Sequence, residues 1–146
     1  MTGVQTCAPD LVDLPGHELN EAEFLNELAR ASGCGLLFDV NNLFVSAHNL
    51  GLRAETAVDA VEAAFIGEIH LAGHSPDADL CSPLLIDTHG APIADPVWAL
   101  YERLMARIGP RPTLIERDDH VPAFEVLMVE RDRAAAILAR RQDAYV

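Results

Sequence analysis

A chain of 146 residues, half of them apolar, is long enough for one domain with a packed core and too apolar for a disordered segment. Its 10 Lys and Arg against 23 Asp and Glu leave a formal charge of -13, which argues against nucleic acid as a partner because little positive charge is present to neutralise phosphates. No apolar run approaches the roughly 20 residues of a membrane span, and the N-terminus lacks the basic and apolar regions of a signal peptide.

Met1 to Cys7 fits poorly with the rest of the chain, and residues 1–13 are expected to be a non-native or disordered leader ahead of one folded domain over 14–146. Asn20 with Glu23 three residues on predicts a capped helix start, Phe24, Leu25 and Leu28 its apolar face, and Gly33 its end. Gly35 to Phe38 is a continuous apolar run suited to a buried strand, stopping at Asp39-Val40-Asn41-Asn42, where the two asparagines read as turn formers. Ala57, Val58, Val61 and Ala64 share one helical face. Ile66 to Leu71 reads as the second strand, followed by a turn through Gly73 and His74 and a polar loop to Pro83. Leu84-Leu85-Ile86 is the third run and ends at Asp87-Thr88-His89-Gly90. Asp95-Pro96 starts a helix whose stripe is Val97, Leu100, Tyr101, Leu104 and Ile108, and Gly109-Pro110 stops it. Thr113-Leu114-Ile115 is the fourth run, ending at Glu116-Arg117-Asp118, and a last helix carries Phe124, Leu127, Met128, Ala135 and Leu138. The alternation predicts an α/β fold of about four parallel strands with helical crossovers. An open doubly wound sheet and a slice of a β/α-barrel both fit it.

Sites in parallel α/β folds sit at the carboxyl ends of the strands. Here those ends carry Asp39, then His70, then Asp87 and His89, then Glu116. Three carboxylates and two imidazoles on one rim are a donor set suited to iron, manganese or zinc. Each residue alone has an ordinary reading. An Asp after a strand is commonly a turn or helix cap, a strand His is commonly a hydrogen-bonded structural residue, and Glu116 can pair with Arg111 or Arg117. The recurrence at all four ends favours a shared metal site. Asn41, His48 and His74 are candidates for supporting or substrate-side roles beside it. His17 and His120 read as loop residues. Cys7, Cys34 and Cys81 have no C-x-x-C spacing, and their odd number predicts a reducing, cytoplasmic location. Cys34 is expected in the core, and Cys81 in a polar loop. A Gly-rich phosphate loop, a G-x-S-x-G elbow and an H-E-x-x-H helix are all missing from the sequence.

Four ordered blocks carry a family resemblance: Gly35-Leu36-Leu37-Phe38-Asp39-Val40-Asn41-Asn42 with Val45-Ser46-Ala47, Glu68 to His74, Leu85 to His89, and Thr113 to Glu116. From about Leu14 to the last helix the chain resembles the multinuclear non-haem iron-dependent oxidative enzymes. This is the methanobactin-biosynthesis B-like family, formerly a bacterial domain of unknown function. The resemblance implies the C-terminal half of a TIM-type (β/α)8 barrel. It also implies two or three irons at the rim of the full-length enzyme, with Asp39, His70, Asp87, His89 and Glu116 as ligands. Its members use dioxygen to modify residues, often cysteine, of ribosomally made precursor peptides, many with a small partner protein that presents the peptide. The family's N-terminal half brings two histidines and a glutamate that nothing in this sequence matches, so fewer irons or none are expected on this chain alone. Two alternatives stand beside this one. One is a divalent-metal barrel of sugar-isomerase-like (xylose isomerase-like) or nuclease-like type. The other is an inactive metal-binding half-barrel that self-associates through its open edges.

Overall fold

The computed structural model describes residues 3–5, 16, 18–77 and 84–142. The remainder of the leader with Cys7, the loop residue His17 and the segment holding Cys81 lie outside the described residues. Residues 3–5, set apart from the fold on sequence grounds, form strand β1 (Gly3–Gln5), whose backbone pairs in parallel with residues 35–37. A three-residue strand is too short to show a period, so no apolar pattern announces it.

Helix α1 (Glu21–Ser32) begins with the expected reciprocal cap: the Glu23 N–H donates to Asn20 Oδ1 and the Asn20 N–H to Glu23 Oε2, both at 3.0 Å. It ends at Gly33 in the left-handed region, with φ 72°. Its buried face is Ala22, Leu25 and Ala29, whereas Phe24, expected on that face, is 53% exposed. Strand β2 (Gly35–Asp39) follows, with Cys34 half-buried before it. Helix α2 (Val40–Leu50) starts without a loop, where a turn was expected. Val and Asn are indifferent helix formers, but burial of Val40, Val45 and Ala47 together with the Asp39 cap overrides that preference. Helix α3 (Ala54–Ala60) leads into β3 (Ile66–Leu71). Two short strands, β4 (Ser75–Pro76) and β5 (Leu85–Ile86), precede α4 (Asp95–Ile108), β6 (Thr113–Ile115) and α5 (Phe124–Gln142). The whole predicted stripe of α4 is buried, and Gly109 closes the helix with φ 76°. On α5 the buried residues are Ala134 and Ile137, while Phe124 is 68% exposed.

The sheet has the order β1-β2-β3-β6, with every neighbouring pair parallel. The third predicted run is the exception. Instead of joining this sheet, β5 forms an antiparallel two-strand ribbon with β4. Two residues make too short a ladder to compete for the edge of β3, which β6 occupies. Alternation then sorts the sheet residues by face. Leu36, Phe38, Ile69 and Leu71 are at most 2% exposed and join Val58, Trp98, Tyr101 and Leu104 of the helices in one core. The opposite face carries Leu37, Glu68 and Leu114, with Leu114 47% exposed, and it ends at the rim in Asp39, His70 and Glu116. Among the described residues no helix is long and apolar enough to cross a membrane.

Candidate metal centre

Sheet register brings the first two candidates together: Asp39 and His70 are direct partners on β2 and β3. Leu71 pairs with Ile115, so Glu116 leaves β6 at the same level, and its N–H donates to Leu71 O at 2.9 Å. Asp87 and His89 arrive by another route, on the segment beyond β5. The His89 N–H donates to Gly73 O at 2.9 Å, and the Asp118 N–H donates to His89 O at 3.1 Å, pinning this segment between the exits of β3 and β6. The approach at Gly73 is close enough to require glycine. A Cβ there would overlap the Ala91 carbonyl and lie 2.8 Å from Pro92 O. His89 itself holds φ 51°, an uncommon backbone for a non-glycine residue.

All five predicted ligands share one rim. His89 Nε2 lies 3.0 Å from Asp87 Oδ1, while His89 Nδ1 lies 3.6 Å from Glu116 Oε2 and 3.4 Å from Asp118 Oδ2. His70 Nδ1 and Glu116 Oε2 are 3.2 Å apart. Asp39, Asp87 and His89 offer donor atoms all within 4.8 Å of one another, and so do His89, Glu116 and Asp118. Asp118 is the member that sequence reasoning passed over. Its signal was available, since it stands two residues after Glu116, where strand alternation continued past β6 would put it on the same side.

Supporting groups surround the rim. Asn41 and Asn42 are buried at the start of α2, and their amides donate to Asp87 Oδ1 and Oδ2, the second at 3.3 Å. His74 Nδ1 contacts Asn41 Oδ1 at 2.8 Å, and the His74 ring packs on Phe44 with centroids 5.1 Å apart. His48 is exposed on α2, its ring centroid 6.3 Å from that of Phe44, and is not among the residues of the two candidate ligand groups. Arg117 donates to Glu130 Oε2 at 3.0 Å, and Glu130 Oε1 accepts the Ile93 N–H at 2.8 Å, so one half-buried pair ties the segments after His89 and Glu116 to α5. A mostly apolar cavity of about 490 Å³ lies behind the rim between α1, α2 and α3 and reaches it through Asp39 and Asn42.

The charge balance of the rim favours a cation. Burial pushes the Asp39 carboxyl above its ordinary value, and the nearby Asp87 carboxylate adds to the shift. Burial alone would lower His89, but Asp87, Asp39 and Glu116 outweigh it and hold the imidazole above its ordinary value. His74, away from most of this charge, is lowered by burial. His70 Nδ1 and Glu116 Oε2 are buried and, despite their closeness, have no hydrogen-bond partner. Two such orphaned donors side by side, with the mixed oxygen and nitrogen set around them, fit a transition-metal ion.

A family described as RiPP precursor modification enzyme MbnB/TglH/ChrH matches residues 8–139. The chain belongs to this family. Relatives named UPF0276 protein include one from Caulobacter sp. (strain K31), 69% identical over 86% of this chain and 45% of the relative. Another, from Caulobacter vibrioides, is 65% identical over 90% of this chain and 46% of the relative. A third, from Chromobacterium violaceum, is 47% identical over 87% and 45%. The chain therefore spans about half the length of the curated relatives it matches.

Proposed function

We propose that this chain supplies the C-terminal half of a TIM-type (β/α)8 barrel whose rim holds iron. In the complete enzyme that rim would use dioxygen to modify residues, often cysteine, of a ribosomally made precursor peptide presented by a small partner protein. The observation that carries the reading is the meeting of Asp39, His70, Asp87, His89 and Glu116 at one rim, in a chain of the RiPP precursor modification family. A parallel sheet with its apolar face under helices and its polar residues at the strand ends supports the barrel.

Asp39, Asp87 and His89 would hold one ion, and His70 and Glu116, with Asp118 near them, would contribute to another. Iron bound there supplies electrons to dioxygen and a Lewis acid for a substrate thiolate. The chain's own work is orientation. Asn41 and Asn42 grip the Asp87 carboxylate, the Arg117–Glu130 pair holds the backbone beyond Glu116, and the buried flank of β3 keeps water from His70. The test is iron per chain after anaerobic purification, with His70→Ala and Asp87→Ala beside the unaltered protein. Roughly one iron or more, lost in both variants, is the expected result. Manganese or zinc held in its place, without oxygen consumption when the matching N-terminal half and peptide are added, would overturn the iron reading in favour of a divalent-metal barrel.

A further inference from the structure

The segment carrying Asp87 and His89 reaches the rim from outside the main sheet. β2, β3 and β6 present their ligands from a shared parallel ladder. β5 pairs with β4 over two residues, and the other backbone bonds of its segment run to Asp77, Gly73 and Asp118 rather than to α2. Something else must set its distance from α2, because Asp87 reaches the amides of Asn41 and Asn42 from that segment. Asn49, near the end of α2, makes this connection. Its Nδ2 donates to Leu85 O at 2.9 Å, and its Oδ1 accepts the Leu85 N–H at 2.9 Å. One side-chain amide thus meets both backbone groups of Leu85, as a neighbouring strand would. Asn42 and Asn49 are seven residues apart, two helical turns along one face. α2 therefore grips the segment twice, at the Leu85 backbone and at the Asp87 carboxylate.

We propose that Asn49 is a positioning residue for the metal rim, holding the Leu85 backbone so that Asp87 and His89 stand at ligand distance. The inference rests on the metal reading above and adds to it a residue that touches none of the proposed ligands. Asn49 is half-buried, and its bonds hold the side of β5 that faces α2, opposite the pairing with β4. Loss of the clamp would leave Asp87 held through its own side chain to Asn41 and Asn42 and by the His89 backbone bonds to Gly73 and Asp118, with the Leu85 end of the segment released from α2. Ligand geometry would then be affected more than folding.

A matched control exists within the chain. Asn26 on α1 makes a comparable pair of side-chain to backbone bonds, though to two residues, donating to Ala60 O at 2.9 Å and accepting the Glu62 N–H at 2.9 Å, at a place without rim residues. The experiment compares the unaltered chain, Asn49→Ala and Asn26→Ala in three readouts: cobalt(II) affinity, the ligand-field absorption of the cobalt form, and hydrogen exchange at the His89 amide. Asn49→Ala is expected to bind cobalt(II) about tenfold more weakly, to shift the absorption bands and to speed His89 exchange. Asn26→Ala is expected to lose comparable stability while leaving all three unchanged. Equal behaviour of the two variants would overturn the proposal. If the unaltered chain takes up no cobalt(II), the reading that this half holds a metal by itself fails. The exchange comparison then still decides the clamp, since unchanged protection of the His89 amide in Asn49→Ala overturns it. Should Asn49→Ala not fold, Asn49→Asp keeps the oxygen facing the Leu85 N–H and carries the same comparison.

Discussion

Asp39 has two separable roles at one position. Its Oδ1 accepts the Asn42 N–H at 2.9 Å and caps α2, while its carboxylate is also a member of the rim cluster. Asparagine is as good a cap as aspartate but a poorer ligand for a hard cation. Asp39→Asn is therefore expected to lose metal with stability near that of the unaltered chain. Asp39→Ala should lose metal and about 1 kcal/mol of stability as well. Urea unfolding of both metal-free variants checks this, and equal stability of the two would remove the capping role. The same residue shows what a sequence can and cannot reveal. That Asp39, His70, Asp87, His89 and Glu116 belong together was readable from residue types at run ends. That Asn41 and Asn42 hold Asp87 was not, because a contact spanning 46 positions for Asn41 and 45 for Asn42 leaves no local pattern.

At the level of elements, stripes, caps and apolar runs were legible, whereas the strand β1 and the partner of β5 were not. α1 and α4 were visible through a capping box, a proline start and glycine ends, all local signals. β1 and β5 are three and two residues long, and their partners are chosen by tertiary packing. α2 was hidden because its first residues have the composition of a turn. Pairing between elements also has a pH signature. Arg103 donates to Asp59 Oδ1 at 2.9 Å, joining α4 to α3, and its guanidinium holds the Asp59 carboxyl below its ordinary value. A lowered carboxyl contributes its stability above the unfolded value of 3.8 and loses it as acid takes the pH down through the folded value. The pair is exposed and screened by solvent, so Asp59→Asn is expected to lower the urea midpoint only slightly at neutral pH. That difference should vanish in acid. A difference that persists at low pH would show that packing, rather than charge, is what Asp59 supplies.

For the molecule as a whole, the described residues leave two sheet edges, β1 and β6, with Leu114 on the second. Phe124, Val126 and Val129 of α5 are exposed as well. Unpaired edges beside apolar side chains invite association. The mass found by sedimentation is expected to rise with protein concentration, and Val129→Glu should reduce the rise. A constant monomer mass for the unaltered chain would mean that these surfaces are not sticky enough to pair copies. Finally, the rim ligands are drawn from separate stretches between Asp39 and Asp118, brought together only by the folded sheet and its crossovers. The unfolded chain therefore has no high-affinity arrangement to offer an ion. By linkage, a cation present at about 100 times its dissociation constant adds roughly 2.7 kcal/mol to folding. On the proposed metal reading, the ion is in this sense also a folding ligand. A cell short of that ion would then hold less of the native chain.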